Sequence, residues 1–491
     1  MVFVLIEGYE KSNEIRELIR LFFKSEETLF IEDIKEYPYN GYLLHSVLAR
    51  NDKDIYATAY LYKDGHLIDK HSENILDLKT YRNSVKKDIN IGIKKSIFYC
   101  LIGISGQKLP WGILTGIRPI KIIHELVDKS IEQKEIIRLL TTEYKLNIEK
   151  AKLATDICLR QREHIYPLDK NRYSLYISIP FCPTRCFYCS FPALTLKGNL
   201  GYIEEYVDKL IFEIKAIRRI MGHKKINTVY IGGGTPTAIP PKELEKIIQE
   251  VYLSFGKENI KEFTVEAGRP DTITDEYLKV LDNNGIRRIS INPQTMNDNT
   301  LKIIGRHHKA KDIIEVYWQA RNYSFEVINM DLIVGLPGEG IDDIKYTLGE
   351  IKKLDPENLT IHTLSIKRGS NFFNALEKYP IKGQDTIEQM LNETMNYADE
   401  MGLKPYYLYR QKQILGNFEN VGYAKPRKEC IYNIAMMEEK ETILGAGMGA
   451  VSKVFFPDEN RLERIPNFKD LKEYLERVEE LINKKERILR D

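Results

Sequence analysis

Cys182, Cys186 and Cys189 fall within eight residues, separated by three residues and then by two. Thiolates are soft ligands for zinc and for iron–sulfur clusters, and a loop this short can wrap one ion or one cluster. A structural zinc centre needs a fourth nitrogen or sulfur ligand. None is near: Ser190, Phe191 and Pro192 follow, and the nearest preceding histidine is His164. A four-iron cluster on three thiolates keeps one iron free of protein ligands, open to the amine and carboxylate of a small molecule. The chain has six cysteines in 491 residues, too few for a disulfide framework, and Cys100, Cys158 and Cys430 stand alone. Burial as a small hydrophobe is the ordinary role of such residues.

A second group of residues suits a ligand with polar ends. The run IGGGTPT places Gly232, Gly233, Gly234 and Thr235 at the end of a strand-like segment. There the backbone can turn tightly and bring its own polar groups against a ligand. Glu266, Gln294, Arg306 and Asp331 lie at or just beyond the ends of later strand-like segments. Each alone is an ordinary polar group. Together they offer a cation for a carboxylate and acceptors for hydroxyl and amine groups.

These residues need a scaffold that brings strand ends together. Short apolar runs at Leu175–Ile179, Thr228–Ile231, Glu262–Val265, Arg288–Ile291, Val327–Val334 and Leu359–Leu364 alternate with helix-length segments. Such alternation predicts parallel β/α units, six of which fit an open or complete β/α barrel with its reactive groups at the C-terminal strand ends. Upstream, residues 1–80 read as a small α+β unit, with strands at Val2–Ile6, Tyr42–Leu48 and Ile55–Tyr62 and a helix over Glu14–Phe23. Residues 81–166 read as helical, interrupted by the loop WGILTGIRP, from which no chemistry follows. The core is placed at 167–400 and a small mixed region at 401–491, with the Gly-rich segment LGAGMGA and a final charged helix.

Apolar residues make up 43% and charged residues 29% of the chain, a balance that predicts a folded globular protein of two or three domains. A net charge of +2 gives no global field for nucleic acid or a membrane surface. The start, MVFVLIEGYE, reads as a first strand and not as a signal peptide, and no run is long and apolar enough to span a bilayer, so the cytoplasm is the expected location.

The cysteine spacing after a strand resembles that of the radical S-adenosylmethionine superfamily. Within it, LYISIPFC, IGGGTPT and NMDLIVGLPGE resemble the oxygen-independent coproporphyrinogen III oxidase group, over about Tyr173 to Val451. The resemblance implies a partial (β/α)6 barrel, a [4Fe–4S] cluster on the three cysteines, and S-adenosylmethionine as second cofactor. It further implies that the glycine segment meets the methionyl amine and Arg306 the carboxylate. Gln294 and Asp331 would surround the ribose and a second bound cofactor, Tyr176 would lie over the site, and Tyr188 would sit by the adenine.

Ser178 stands where the bacterial oxidase has a histidine, Phe191 where it has a further cysteine, and INPQTMND replaces the more usual IGVQ form. These departures resemble a coproporphyrinogen dehydrogenase subgroup. The implied reaction converts two propionates of coproporphyrinogen III to vinyl groups. The implied partners are a small tetrapyrrole and a flavodoxin- or ferredoxin-like electron donor, with no nucleic acid. A four-carboxylate substrate calls for cations near the barrel mouth, and Arg269, Arg287, Lys367, Arg368 and Arg410 are candidates. Two alternatives share the core: a haem-binding chaperone, and an enzyme that methylates or opens porphyrin rings.

Overall fold

In a computed structural model, the structure describes the chain apart from residues 11–12, 24–25, 82–83, 117, 368–369, 371, 373–378, 412–413 and 491, and the side chain of Ser105. The chain divides into two compact units, Met1–Cys158 and Leu159–Asp491.

The first unit holds a five-stranded sheet in the order β2-β1-β3-β4-β5. Its strands are β1 (Val2–Glu7), β2 (Thr28–Ile31), β3 (Tyr42–Arg50), β4 (Ile55–Lys63) and β5 (His66–Asn74). The β1, β2 and β3 pairings are parallel, and β3-β4-β5 is an antiparallel meander. Helix α1 (Asn13–Phe22) links β1 to β2, and α2 (Val85–Ser105) packs on β4 and β5. In β4 the buried residues are Ala57, Ala59 and Leu61, the alternation expected of a sheet with one covered face. Helices α3 (Ile120–Val127), α4 (Gln133–Thr142) and α5 (Ile148–Ile165) follow, α5 running across the division between the units.

The loop WGILTGIRP has a packing role. Trp111 is fully buried, the Ile113 amide donates to Tyr144 O at 3.0 Å, and the Asn147 amide donates to Pro110 O at 2.8 Å. Gly112 has φ +50, and a Cβ there would lie 2.2 Å from Tyr144 O. No other residue fits this close approach of two backbones.

The second unit carries an eleven-stranded sheet whose middle holds the six parallel strands of the β/α units. In chain order these are β6 (Arg172–Ile179), β9 (Lys225–Gly233), β10 (Glu262–Gly268), β11 (Arg288–Ile291), β12 (Val327–Val334) and β13 (Asn358–Thr363). Two short strands intervene, β7 (Phe181–Cys182) and β8 (Leu194–Thr195), which pair with each other. The connecting helices are α6 (Ile203–Met221), α7 (Pro241–Phe255), α8 (Asp275–Asn283), α9 (Asp298–Ile303), α10 (Ala310–Arg321) and α11 (Ile341–Leu354), with α12 (Gln384–Glu400) after β13. Every residue of β11 is buried, as in a parallel sheet covered on both faces.

Beyond Met401 the chain adds strands to both edges of this sheet. β14 (Lys404–Tyr409) and β15 (Asn420–Ala424) join antiparallel at the β13 edge. After α13 (Ile431–Glu438), β16 (Thr442–Ala446) lies parallel to β6, and β17 (Val451–Phe456) and β18 (Arg461–Pro466) extend that edge ahead of α14 (Leu471–Arg490). The edge strands β14 and β18 do not pair, so among the described residues the sheet is open and not a closed barrel. The six-unit β/α core and its open form agree with the sequence expectation. No helix among the described residues is long and apolar enough to cross a membrane.

Candidate active site

Strand β6 ends at Ile179, and the chain turns through Pro180 into β7, which delivers Cys182. The β7–β8 ladder closes the loop at its base: the Leu194 amide donates to Pro180 O at 2.8 Å and the Leu196 amide to Cys182 O at 2.9 Å. Inside the loop the Cys189 amide donates to Cys186 O at 3.1 Å, and the Phe187 amide ties it to Ile304 O at 3.0 Å.

The glycine run is strapped to this loop. The Gly234 amide donates to Ile179 O at 2.7 Å and the Thr235 amide to Phe181 O at 2.8 Å. A Cβ on Gly234 would lie 2.7 Å from Phe181 O and 2.9 Å from Cys182 Sγ. Gly233 has φ +115 and a Cβ on it would lie 2.9 Å from both Ile179 O and Ser178 Oγ, while a Cβ on Gly232 would meet Glu266 Cδ and Tyr230 Cε1 at 3.0 Å. Behind the loop, the LGAGMGA segment acts as a brace. The Ser178 hydroxyl donates to Met448 O at 2.9 Å, the Tyr206 hydroxyl to Ser178 O at 2.7 Å, and the Met448 amide to the Tyr206 hydroxyl at 3.0 Å.

At the C-terminal ends of the strands lies a cavity of about 350 Å³. All three cysteines line it, with Gly233, Gly234 and Thr235 along one stretch of wall. Tyr176, Tyr188, Glu266, Gln294, Arg306 and Asp331 line it as well. Gly232 alone of the expected cofactor-contacting residues sits behind the wall, where its missing side chain makes room for Glu266. Gln294 has φ +68, left-handed backbone that costs energy for a residue with a side chain. It is held there by hydrogen bonds between its backbone and Asp331 O and the Ile333 amide, at 2.8 and 2.9 Å. Strain kept in place by its surroundings clusters at functional sites.

Burial governs the electrostatics. Glu266 accepts a 2.5 Å hydrogen bond from the Tyr230 hydroxyl, and burial lifts its carboxyl to about 7. Tyr176 stacks against Tyr230 and Tyr432 with ring centres 6.3 and 6.2 Å apart, so it is both core and cavity wall. Arg306 is buried and donates to Asn292 O at 3.2 Å and to the Tyr188 hydroxyl at 3.1 Å, while its Nε has no partner among the described residues. Asn292 Oδ1 is likewise buried and unpartnered. Buried polar atoms are costly to leave unsatisfied, and these two stand at the cavity where a ligand can complete them.

The structure ties down Arg269, a cation the sequence had already offered, and adds His362 and Tyr409, which the sequence did not single out. Arg269 Nη1 donates to Thr184 O and Oγ1 at 3.1 and 2.9 Å and points at Cys186 Sγ, 3.9 Å away, while Asp271 holds the same guanidinium through two bonds of 2.9 and 2.7 Å. His362 Nδ1 lies 3.2 Å from the Tyr409 hydroxyl and its Nε2 lies 3.7 Å from Asp331 Oδ2. His362 carried one available signal, its place at the C-terminal end of a core strand. Tyr409 carried none, because only the antiparallel pairing of β14 with β15, and of β15 with β13, brings it to the cavity.

The cations expected near the mouth separate sharply. Lys367 lines the cavity. Arg269 lines it too but is committed to Asp271 and Thr184. Arg287 is a correction: it pairs with Asp282 at 2.8 Å and lines a different cavity, at the N-terminal strand ends. Arg410 is buried against Asn417 and does not line the site, also contrary to expectation. Arg368 lies outside the described residues.

An open layer of six β/α units with three thiols in the loop after its first strand defines a class, and residues 176–351 match the family described as the radical SAM superfamily. The chain is 40% identical over 471 residues to the oxygen-independent coproporphyrinogen-III oxidase-like protein HemZ of Bacillus subtilis, a match that covers 93% of each. It belongs to that oxidase-like family within the radical SAM superfamily. The haem chaperone HemW of Bacillus subtilis is 30% identical over 280 residues, 56% of this chain and 70% of the relative. Among solved structures, the coproporphyrinogen III oxidase HemN of Escherichia coli superposes with a TM-score of 0.52 at 21% identity, over 66% of this chain and 72% of that one, which is a likeness of fold.

Proposed function

We propose that the protein catalyses the oxygen-independent oxidative decarboxylation of coproporphyrinogen III to protoporphyrinogen IX, in the cytoplasm, with electrons delivered by a flavodoxin- or ferredoxin-like donor. The observation that carries this reading is the gathering of three thiols, a glycine cradle and a buried guanidinium whose Nε has no partner among the described residues around one cavity, in a chain that matches HemZ almost end to end.

The donor set fits a [4Fe–4S] cluster and S-adenosylmethionine. Among the described residues no three His, Cys, Asp or Glu side chains converge as the ligands of a single metal ion. Cys182, Cys186 and Cys189 would hold the cluster, and the missing fourth thiol leaves one position for the amine and carboxylate of the second cofactor. Arg306 would take that carboxylate, its planar fork matching two oxygens. Gly233, Gly234 and Thr235 would meet the methionyl amine, Glu266, Gln294 and Asp331 the remaining polar groups, and Tyr188 the adenine. When bound, the reduced pair supplies a 5′-deoxyadenosyl radical, the hydrogen-abstracting agent of this superfamily.

The protein's share is placement and exclusion. Each propionate side chain gives up one β-hydrogen atom, one carbon dioxide and one electron to become a vinyl group, so the cavity must present a β-carbon and keep water and oxygen away. Tyr176 in the cavity wall is backed by the stacked Tyr230 and Tyr432, an aromatic layer suited to exclusion. The test is anaerobic reconstitution, followed by incubation with coproporphyrinogen III, reductant and S-adenosylmethionine. Protoporphyrinogen and 5′-deoxyadenosine are the expected products. Their absence from protein with an intact cluster rejects the oxidase reading, and tight haem retention without turnover would favour a chaperone like HemW.

A further inference from the structure

We propose that Lys367 is the carboxylate anchor of the active-site cavity and receives a propionate of the tetrapyrrole. This rests on the decarboxylase reading and assigns to it the residue that selects an acidic substrate.

Lys367 lies just beyond β13, where its carbonyl accepts from both the amide and the hydroxyl of Ser370 at 2.9 and 2.7 Å, which fixes the backbone beneath the side chain. It is half-buried and lines the cavity, yet among the described residues no carboxylate pairs with its ammonium. An ammonium withdrawn from water without a counter-ion is costly, and an incoming anion removes that cost.

Three guanidiniums, those of Arg185, Arg269 and Arg306, also line the cavity, and Arg185 belongs to the cysteine loop itself. Arg269 is fastened to Asp271 and the cysteine loop, and Arg306 is more deeply buried against Tyr188 and Asn292. Side-chain chemistry sorts the two carboxylate sites accordingly. A rigid fork such as Arg306 suits one small amino-acid carboxylate held in a fixed plane. A point charge on a flexible stem suits one of several propionates whose position changes as the first and then the second is consumed. Tyr409 and Gln411, themselves hydrogen-bonded at 3.3 Å, line the same cavity and add neutral hydrogen-bonding groups to it.

The experiment uses the full-length reconstituted protein. Lys367→Met is expected to raise the KM for coproporphyrinogen III by roughly 10–100-fold, the range of one charge-assisted hydrogen bond, while the Kd for S-adenosylmethionine and the cluster's electron paramagnetic resonance signal stay as in wild type. Lys367→Arg should restore most of the affinity. Coproporphyrinogen tetramethyl ester, which has no carboxylate, should bind wild type and Lys367→Met equally. An unchanged KM in Lys367→Met overturns the anchor while leaving the decarboxylase reading in place. A weakened Kd for S-adenosylmethionine with unchanged KM also overturns it, by reassigning Lys367 to the cofactor. Should Lys367→Met not load its cluster, Lys367→Gln carries the same comparison. Failure of wild type to turn over coproporphyrinogen III overturns both.

Discussion

At the N-terminal ends of the core strands, Arg288 donates to Asn358 Oδ1 at 2.6 Å and to Lys428 O and Glu429 O at 3.0 Å, and pairs with Glu262 at 3.4 Å. Glu262 in turn accepts from the Ile431 and Tyr432 amides at 2.9 and 3.0 Å. At the C-terminal ends of the same strands the polar groups are left incomplete: among the described residues Arg306 Nε and Asn292 Oδ1 lack partners, no carboxylate pairs with Lys367, and Glu266 has one hydroxyl donor. One sheet thus spends its polar groups in two ways. Where buried polar groups satisfy one another they fix the fold, and where they remain open they wait for ligands.

That contrast yields variants with opposite profiles. The largest effect on turnover is expected from Gly234→Ala, whose methyl would press on Phe181 O and Cys182 Sγ and displace the cysteine loop. Misplacement of about 1 Å in a reacting assembly costs on the order of 100-fold in rate, whereas the packing strain costs about 1–3 kcal/mol of stability. Anaerobic product assays beside urea unfolding measure the pair. At the other end Arg288→Met leaves Glu262 and two carbonyls without their cation, and is expected to cost about 3–5 kcal/mol in urea unfolding. The turnover of the fraction that stays folded should remain within about twofold of wild type, because the change lies at the far strand ends. Equal profiles for the two variants would break the contrast.

How much of this the sequence carried depended on the range of the interaction. The six core strands and the cysteine and glycine loops are local patterns, and each appears where apolar runs and spacing place it. β5 was not legible: its sequence HLIDKHSEN is largely exposed and charged, and it is held as a strand by pairing with β4. The brace on Ser178 depends on a contact with Met448 across 270 residues, and no local pattern announces it. The cations show the same limit. Arg287 and Lys367 both sit beside strand-like segments, but only the direction of the strand decides that one faces Asp282 at one end and the other the cavity. Arg288 looked like part of a strand and nothing more, since Asn358 and the carbonyls of Lys428 and Glu429 are distant in sequence.

The smallest effect sharpens the contrast through pH. Burial raises Glu266 from its ordinary 4.5 to about 7, against the pull of the Tyr230 hydrogen bond. Between those values the folded protein holds a proton that the unfolded chain has released, so stability must fall as pH rises across the window and level off above about 7. The slope approaches about 1.4 kcal/mol per pH unit where the two states differ by a whole proton. Glu266→Gln keeps the acceptor for Tyr230 and removes the titration, so the wild-type minus variant difference in unfolding free energy, followed by urea from pH 5 to 8, should decline and then flatten. A difference that stays constant with pH would mean that the Glu266 carboxylate is already compensated at the cavity, and that the C-terminal strand ends are as self-sufficient there as the N-terminal ones.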